Sequence, residues 1–230
     1  MNKRVLALCT GGLDSTIGIF KAIDMGYDVR HAIIFNYGQR AFFNEWNASH
    51  IILGPLGIPV VRVDLPFMLD FDAGLQNNIP VVKSEAESKA DKYSPAWFPN
   101  RNMILISIAA AYARKFNCDR ILFGMDADDT IPDIVPDFVD FMNLALGKAM
   151  PDRLINLYTP LAKMTRYSMV RWGLEYNERS GKRIPWHAIW SCRNAGSIQC
   201  GECNPCFVNF EAFKDAPKEV RKAFGMKGLE

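Results

Sequence analysis

The sequence predicts an α/β fold with a doubly wound, mostly parallel sheet, and three observations lead to this prediction. Five apolar, β-branched runs alternate with five segments of helical periodicity, as expected when helices cross over between parallel strands. The 230 residues are 49% apolar and 23% charged, which is enough to bury one sizeable core. Four of the six cysteines lie close together near the end of the chain. We therefore expect an α/β domain over residues 1–185 and a small helical subdomain, built on these cysteines, over residues 186–230.

The first half of the chain predicts three strands and two helices. Apolar runs with β-branched residues are typical of buried strands, and they occupy Lys3–Cys9, Val29–Phe35 and Pro59–Leu65. The first helix is predicted over Asp14–Asp24, because an acidic residue and hydroxyls in the first turn suit the positive end of a helix dipole. The second helix is predicted over Ala41–Leu53, where apolar residues recur at helical spacing.

The second half continues the alternation after an irregular stretch. Phe67–Pro99 has no clear periodicity and includes the charge-dense segment Lys83–Lys92. A loop of this length is either a lid or binding segment, or a solvated surface loop. The patterns after it predict helices over Asn102–Phe116, Pro136–Lys148 and Thr165–Tyr176, and strands over Arg120–Met125 and Leu154–Leu161.

Composition and charge exclude several classes of protein. The formal net charge of +2 gives no argument for a nucleic-acid or membrane surface. No apolar run is long enough to span a bilayer, and the first four residues enter the first strand without the apolar stretch of a signal peptide. We therefore expect a cytoplasmic protein, where disulfides are rare, so the clustered cysteines need another explanation.

The segment that joins the first strand to the first helix predicts a phosphate site. It runs Cys9-Thr10-Gly11-Gly12-Leu13-Asp14-Ser15-Thr16. Glycines let backbone N–H groups approach a ligand closely, and the helix dipole favours an anion at this end. The other interpretation is an ordinary strand–turn–helix corner that happens to contain two glycines.

Polar groups follow the ends of the other predicted strands. Asn36 follows the second strand, Asp64 ends the third and Asp126 follows the fourth. In doubly wound sheets the ligand binds beyond the carboxyl ends of the strands. We therefore expect these side chains on the same edge of the sheet as the glycine loop.

The four clustered cysteines predict a metal site. Their spacing is C-x7-C-x2-C-x2-C over Cys192, Cys200, Cys203 and Cys206, and four thiolates suit tetrahedral zinc in a closed structural site. An iron–sulfur cluster uses similar spacing, and four unligated cysteines are the third interpretation. Cys9 and Cys118 are typical of small core residues.

Taken together, these segments and several others resemble known enzymes. The glycine loop is similar to the pyrophosphate loop Ser-Gly-Gly-x-Asp-Ser of the N-type ATP pyrophosphatases, with Thr10 keeping the first hydroxyl. Over nearly the whole chain the sequence resembles the 7-cyano-7-deazaguanine synthases. The segments that carry this resemblance are Phe35–Arg40, Phe98–Asn102 with the small-residue helix Ile106–Ala113, Gly124–Asp129, Tyr158–Leu161, and Cys192–Cys206 with Phe210–Phe213.

The resemblance implies a reaction that uses ATP twice. ATP would adenylate the carboxylate of 7-carboxy-7-deazaguanine, ammonia would displace AMP to give an amide, and a second activation would dehydrate the amide to a nitrile. It also implies a homodimer, with zinc on the four cysteines and Mg²⁺ held by Asp14, since hard cations take carboxylate oxygens.

The resemblance further implies roles for individual residues. The catalytic residues would be Asp14, Ser15 and Arg101. ATP would be bound by Thr10, Gly11, Gly12, Leu13, Asp14, Ser15, Thr16, Asn36 and Gly124. The substrate would be bound by Tyr37, Gln39, Arg40, Arg101, Asp126, Asp129 and Asp133, with the arginines suited to bidentate contacts to carboxylate or phosphate.

Departures from the family pattern lie on the substrate side and motivate the first of two alternatives, while the second comes from members of the superfamily that act on transfer RNA. Ala41 replaces a histidine, Thr130-Ile131 replaces Tyr-Ser-Gly-Tyr, and Ile134 and Val135 replace a cysteine and a basic residue. One alternative is a paralogue that passes a deazapurine-type carboxylate to another acceptor, such as a protein amine, in phage defence or DNA modification. The other is a non-catalytic nucleotide-binding module or a transfer-RNA-binding relative, which the near-neutral charge does not favour.

Overall fold

The computed structural model describes residues 3–71 and 98–226, and over these residues it shows a parallel five-stranded sheet with helices on both faces. The strand order is β3-β2-β1-β4-β5, and every neighbouring pair is parallel. This confirms the predicted fold class. The strands are β1 (Arg4–Leu8), β2 (Asp28–Asn36), β3 (Val60–Asp64), β4 (Arg120–Leu122) and β5 (Asn156–Tyr158).

Five helices fall where the sequence predicts them, and two more lie in the C-terminal segment, the first of which contains Cys206. A left-handed Gly181 ends α5 at Ser180, later than expected. None of the helices in the described ranges is both long enough and apolar enough to cross a lipid bilayer. The helices are α1 (Leu13–Asp24), α2 (Phe42–Leu53), α3 (Arg101–Lys115), α4 (Pro136–Ala149), α5 (Arg166–Ser180), α6 (Asn204–Ala212) and α7 (Lys218–Ala223).

Strands β4 and β5 are shorter than predicted, and local backbone chemistry explains both differences. After β4 the Phe123 N–H still bonds to the Tyr158 carbonyl (3.0 Å), but the Met125 N–H then turns back to the Phe123 carbonyl (2.9 Å). β5 ends before Pro160, which has no N–H to donate to a neighbouring strand. The apolar residues beyond each strand therefore continue the core without extending the sheet.

The irregular stretch Phe67–Pro99 is described only at its two ends. A short 3₁₀ helix, Pro66–Asp70, buries Met68 completely. Residues 72–97, which include Lys83–Lys92, lie outside the described residues, so the two interpretations of that segment stay predictions.

One hydrophobic core joins the sheet to the C-terminal segment. Phe213 stacks on Phe224 with 4.1 Å between ring centroids, and Trp186 meets Phe213 edge-on at 5.5 Å. These three side chains belong to the same buried cluster as Val5 of β1 and Phe20 of α1. The C-terminal segment thus packs directly on the sheet's first helix layer, while the domain boundary at 185/186 stays a prediction.

The strand order positions the site. Connections leave β1 in one direction toward β2 and β3, and in the other toward β4 and β5. The carboxyl ends of β1 and β4 therefore lie side by side at a topological switch point, where helices diverge and leave a crevice for a ligand. Cys9–Thr16 and Gly124–Asp129 begin at these two strand ends.

We predict opposite effects for the same substitution at two helical glycines. A Cβ on Gly173 of α5 would lie 2.5 Å from Cη2 of the buried Trp186, whereas a Cβ on Gly147 of α4 would meet nothing within 4 Å. Gly173→Ala should lower the free energy of unfolding by about 2 kcal/mol through overpacking. Gly147→Ala should raise it by up to about 1 kcal/mol through helix propensity. Urea titration of both variants checks this, and equal effects would show that the Trp186 contact is unimportant.

Candidate active site

The glycine loop between β1 and α1 is closely packed against α2. Gly11 has a φ of +67°, and a Cβ there would lie 2.4 Å from the Cβ of Ala48. Both the left-handed conformation and the lack of space therefore require glycine. Gly12 precedes α1 with extended backbone and offers no side chain to cap it, which leaves N–H groups of the first helical turn for an anion.

Ser15 holds the loop in shape. Its Oγ donates to the Gly12 carbonyl (3.2 Å) and accepts from the Thr10 N–H (3.4 Å). Ser15 and Thr16 are buried, whereas Thr10 is exposed. The seven loop residues predicted to bind ATP are thus contiguous around the start of α1, and the roles assigned to them stay predictions.

The loop after β4 brings three carboxylates around one arginine. The Arg166 guanidinium, at the first turn of α5, lies 3.2 Å from Asp126 and 3.8 Å from both Asp129 and Asp14. Asp128 accepts a hydrogen bond from the Arg166 backbone N–H (3.1 Å). Gly124 makes this approach feasible, because a Cβ there would already be 3.4 Å from the Cβ of Asp14.

Burial makes this carboxylate cluster hold protons more tightly than free aspartates do. Desolvation raises the pKa of Asp14 to about 6 and that of Asp129 to about 7, and the neighbouring carboxylates add to both shifts. The charge of Arg166 opposes these shifts, and the same carboxylates raise the pKa of Arg166 against its own burial. One guanidinium therefore balances the cluster only partly, and a divalent cation would suit the same oxygens.

The turn after β2 is fixed from inside by Gln39. Its Nε2 donates to the Phe35 carbonyl (2.8 Å) and to Glu45 of α2 (3.0 Å), and its Oε1 accepts from the Tyr37 N–H (3.0 Å). Gln39 is buried, so these bonds fully engage its amide, and the predicted substrate contact stays a prediction. Asn36 is similarly engaged, because its Nδ2 donates to Asp64 of β3 (2.7 Å).

Tyr37, Arg101 and Glu45 form the side of the site opposite the carboxylate cluster. Burial raises the pKa of Tyr37, and the charge of Arg101 and a hydrogen bond from its side chain oppose that shift. Desolvation raises the pKa of Glu45 to about 7, while Gln39 and Arg101 lower it. A carboxyl group with a pKa near neutrality can both accept and donate a proton during a reaction.

Asp133 supports the start of α3. Its Oδ2 accepts a hydrogen bond from the Asn102 N–H (3.0 Å), and the Asn102 side chain donates to the Asp133 carbonyl (3.1 Å). This pair positions Arg101, the first residue of α3. Ile134, which departs from the family pattern, packs against the core on this face of the sheet. A substrate contact of Asp133, like that of the half-buried Arg40, stays a prediction.

The four clustered cysteines converge as a metal site requires. Their Sγ atoms all lie within 4.8 Å of one another, and the Cys203–Cys206, Cys192–Cys203 and Cys200–Cys206 separations are 3.4, 3.9 and 3.9 Å. A tetrahedral ion with sulfur ligands at about 2.3 Å sets the sulfurs about 3.8 Å apart. The cluster is therefore compatible with binding one metal ion, whereas a four-iron cube would hold its sulfurs further apart.

The cysteine segment also contacts the glycine loop. The Trp190 N–H donates to the Gly11 carbonyl (2.9 Å), and the Ser191 Oγ accepts from the Leu13 N–H (3.4 Å). The segment before Cys192 thus forms part of the wall of the crevice beside the glycine loop.

Sequence reasoning missed three charged residues of this crevice: Glu45, Arg166 and Arg193. Arg166 could have been identified from the sequence, because it is a cation in the first turn of a helix, where it opposes the helix dipole. Such an unfavourable position indicates a functional role. Arg193 directly follows Cys192, and the spacing of the cysteines predicts a metal site without indicating a role for the charged residue beside it. No local pattern distinguishes Glu45, whose burial arises from tertiary packing.

Comparisons with known proteins agree with this arrangement. A family model described as "Queuosine biosynthesis protein QueC" matches residues 4–217. A 7-cyano-7-deazaguanine synthase from Bdellovibrio bacteriovorus is 32% identical over 97% of this chain and 98% of its own length. One from Thermoplasma acidophilum is 34% identical over 94% of this chain and 90% of its own length.

A solved structure supports the fold alone. The U34-tRNA thiolase NcsA from Methanococcus maripaludis, determined with its 4Fe-4S cluster, aligns with 97% of this chain and 70% of its own, at 15% identity and a TM-score of 0.50.

We predict that Asp129 makes ligand-free stability depend on pH. Because its pKa is raised from 3.8 to about 7, its stabilising contribution is complete below about pH 4 and is lost as pH rises through 7. Asp129→Asn can still accept the Asp126 N–H. The free energy of unfolding of Asp129→Asn, measured relative to that of the unsubstituted protein, should therefore be about 1–2 kcal/mol higher at pH 8 than at pH 5. Urea titrations at both pH values measure this, with exposed Asp140→Asn on α4 as control, and a pH-independent difference would contradict the prediction.

Proposed function

This chain belongs to the QueC family of queuosine biosynthesis proteins, and on that premise we propose that it is an ATP-dependent ligase that makes 7-cyano-7-deazaguanine. The substrate would be 7-carboxy-7-deazaguanine, activated by adenylation and then aminated by free ammonia and dehydrated. The observation that carries this proposal is the family match over residues 4–217, together with a glycine loop and an arginine–tyrosine pair on the same edge of the sheet.

The glycine loop supports nucleotide activation. A carboxylate is a poor electrophile, and AMP turns one of its oxygens into a leaving group. Ser191 accepts a hydrogen bond from the Leu13 N–H, and the N–H groups that follow Leu13 in the first turn of α1 suit the pyrophosphate that is released. Arg166, flanked by Asp14 and Asp126, lies beside this loop and would stabilise negative charge that develops on the phosphates.

Mg²⁺ fits the donor set of the carboxylate cluster. Asp14 Oδ1 and Asp126 Oδ2 are buried oxygens that accept no hydrogen bond, and Arg166, at 3.8 and 3.2 Å, is the one cationic side chain that forms an ion pair with them in the described part of the chain. Asp14, Asp126 and Asp129 would hold the ion, which would neutralise phosphate charge when bound. The raised pKa values of Asp14 and Asp129 imply that binding a cation would release protons.

Zinc is the ion that we propose for the cysteines. Four sulfurs at tetrahedral separations form a closed site with no open position, so its role would be structural. N–H groups of Cys200 and Asn194 donate to the Cys192 sulfur at 3.4 Å, and such donors stabilise bound thiolates.

The acceptor side supports a small planar substrate with a carboxylate. Tyr37 and Arg101 offer a ring, a hydroxyl and a guanidinium at the ends of β2 and the start of α3. Ile134 contributes to packing, so the altered segment keeps the support of α3 while losing polar side chains. A homodimer belongs to the same proposal, and the exposed Phe141 and Leu144 of α4 are apolar side chains that such a contact would cover.

Mass spectrometry of a reaction with 7-carboxy-7-deazaguanine, ATP, Mg²⁺ and ammonium tests the proposal. A nitrile product with AMP is the expected result. AMP with only an adenylate or amide would instead indicate a different final acceptor, such as a protein amine. No consumption of ATP would refute the proposed substrate.

Asp14→Ala should abolish this turnover. Removing a carboxylate that touches both Arg166 and the start of the glycine loop should lower ATP-to-AMP conversion roughly 100-fold or more. The melting temperature should stay within a few degrees, because Asp14 is a half-buried residue in the first turn of α1 and not part of the hydrophobic core. Asp137→Ala, an acidic residue in the first turn of α4, is the matched control. An Asp14→Ala enzyme that still makes AMP would contradict the assignment of the loop.

Cys203→Ser should lose the bound zinc and should have a lower free energy of unfolding than the unsubstituted protein. A structural metal contributes its binding free energy to folding, so we expect loss of zinc in elemental analysis and destabilisation by several kcal/mol. Cys118→Ser, which changes a buried cysteine outside the cluster, should keep its zinc. Unchanged melting of a zinc-free Cys203→Ser protein would refute the structural role.

A further inference from the structure

Arg193 lies in a segment that contacts both the glycine loop and the start of α2. Residues 190 and 191 bond to the glycine loop through Gly11 and Leu13. Three residues beyond Arg193, the Gly196 carbonyl accepts a hydrogen bond from Asn44 at the start of α2 (2.7 Å). The segment is thus fixed at the phosphate side and at the start of α2, and Arg193 stands between these two attachments.

The half-buried Arg193 side chain has a guanidinium nitrogen that is buried without a partner. Its Nη1 is inaccessible to solvent and has no hydrogen-bond partner. Within residues 3–71 and 98–226 no carboxylate forms an ion pair with it. An uncompensated buried charge is costly to a fold, so its retention calls for a partner that binds from outside the chain.

The surroundings of Arg193 increase this need. The side chains of Arg101, Arg166, Tyr37 and Cys203 lie close enough to Arg193 to interact with it electrostatically. Arg166 already has Asp14, Asp126 and Asp129 around it. In the described part of the chain, Arg101 has no carboxylate within ion-pair distance either. Two guanidiniums therefore lie beside Tyr37, and the single Glu45 carboxyl, whose pKa is raised to about 7, balances their charge only in part.

We propose that Arg193 is a substrate-positioning residue that, together with Arg101, binds the carboxylate of the acceptor substrate. The phosphate side has its own glycine loop and Arg166, whereas Arg193 and Arg101 both act electrostatically on Tyr37, at the end of β2. A guanidinium binds a carboxylate with two parallel hydrogen bonds, which would hold one oxygen toward the nucleotide. This inference rests on the proposed function.

Arg193 has a competing structural role, which the test must separate. Its backbone N–H donates to the Cys203 sulfur, and its side chain charge could balance thiolates around a metal. Substitution would then release metal, whereas a substrate-binding side chain can be replaced without loss of metal, because the backbone N–H stays in place.

The experiment compares Arg193→Gln and Arg193→Lys with the unsubstituted enzyme. For Arg193→Gln we expect KM for 7-carboxy-7-deazaguanine to rise roughly 30-fold or more, with KM for ATP within about twofold and zinc content unchanged. Arg193→Lys should recover part of the loss, because it restores charge without the bidentate geometry. Arg171→Gln, an exposed arginine on α5 with a surface ion pair, is the control.

Calorimetric binding without ATP gives a second readout. Arg193→Gln should lose affinity for the carboxylate but keep its affinity for the uncharged 7-carboxamide, and its ligand-free melting temperature should not fall, because an uncompensated charge has been removed. An unchanged carboxylate-to-amide ratio, a rise confined to KM for ATP, or loss of zinc would each overturn the inference. An unsubstituted enzyme that neither binds nor converts the carboxylate would instead refute the proposed function.

Discussion

The approach of Gly11 to α2 is the constraint on which the rest of the site depends. With a φ of +67° and Ala48 directly beside it, Gly11 lets β1 turn into α1 without displacing α2. That turn exposes the first N–H groups of α1 and directs the Gly11 carbonyl toward Trp190. A side chain at position 11 would therefore disturb the phosphate site, the packing of α2 and the attachment of the cysteine segment together.

Charge in the crevice is distributed unevenly between its two sides. Three carboxylates surround Arg166 beside the glycine loop, so that side attracts a cation. Arg101 and Arg193 lie near Tyr37, so the other side attracts an anion. A metal–nucleotide complex and a carboxylate substrate would correct both imbalances at once, which gives the ligand-free site a physical reason to bind them together.

The sequence predicts the fold well where local patterns and tertiary packing agree. β1, α1 and the four cysteines fall where periodicity, glycine spacing and ligand spacing put them. β4 and β5 are overestimated because apolar residues after Leu122 and Tyr158 serve the core and not the sheet. In the site, Glu45 and Arg193 are not predicted, since only the packed structure shows that these two charged residues are half-buried in the crevice. Gln39 and Asp133 show the opposite case. The resemblance to the family implies that they bind substrate, whereas in the structure their side chains form hydrogen bonds within the chain.

The hydrogen bond from the Trp190 N–H to the Gly11 carbonyl couples ligand binding at the cysteine segment to ligand binding at the glycine loop. The cysteine segment and the glycine loop cannot become ordered independently while this bond exists. A ligand that orders one of them lowers the entropic cost of binding at the other, and thermodynamic reciprocity makes the effect equal in both directions. With a metal ion on the cysteines and a nucleotide at the glycine loop, as proposed above, metal occupancy and nucleotide affinity would therefore be linked.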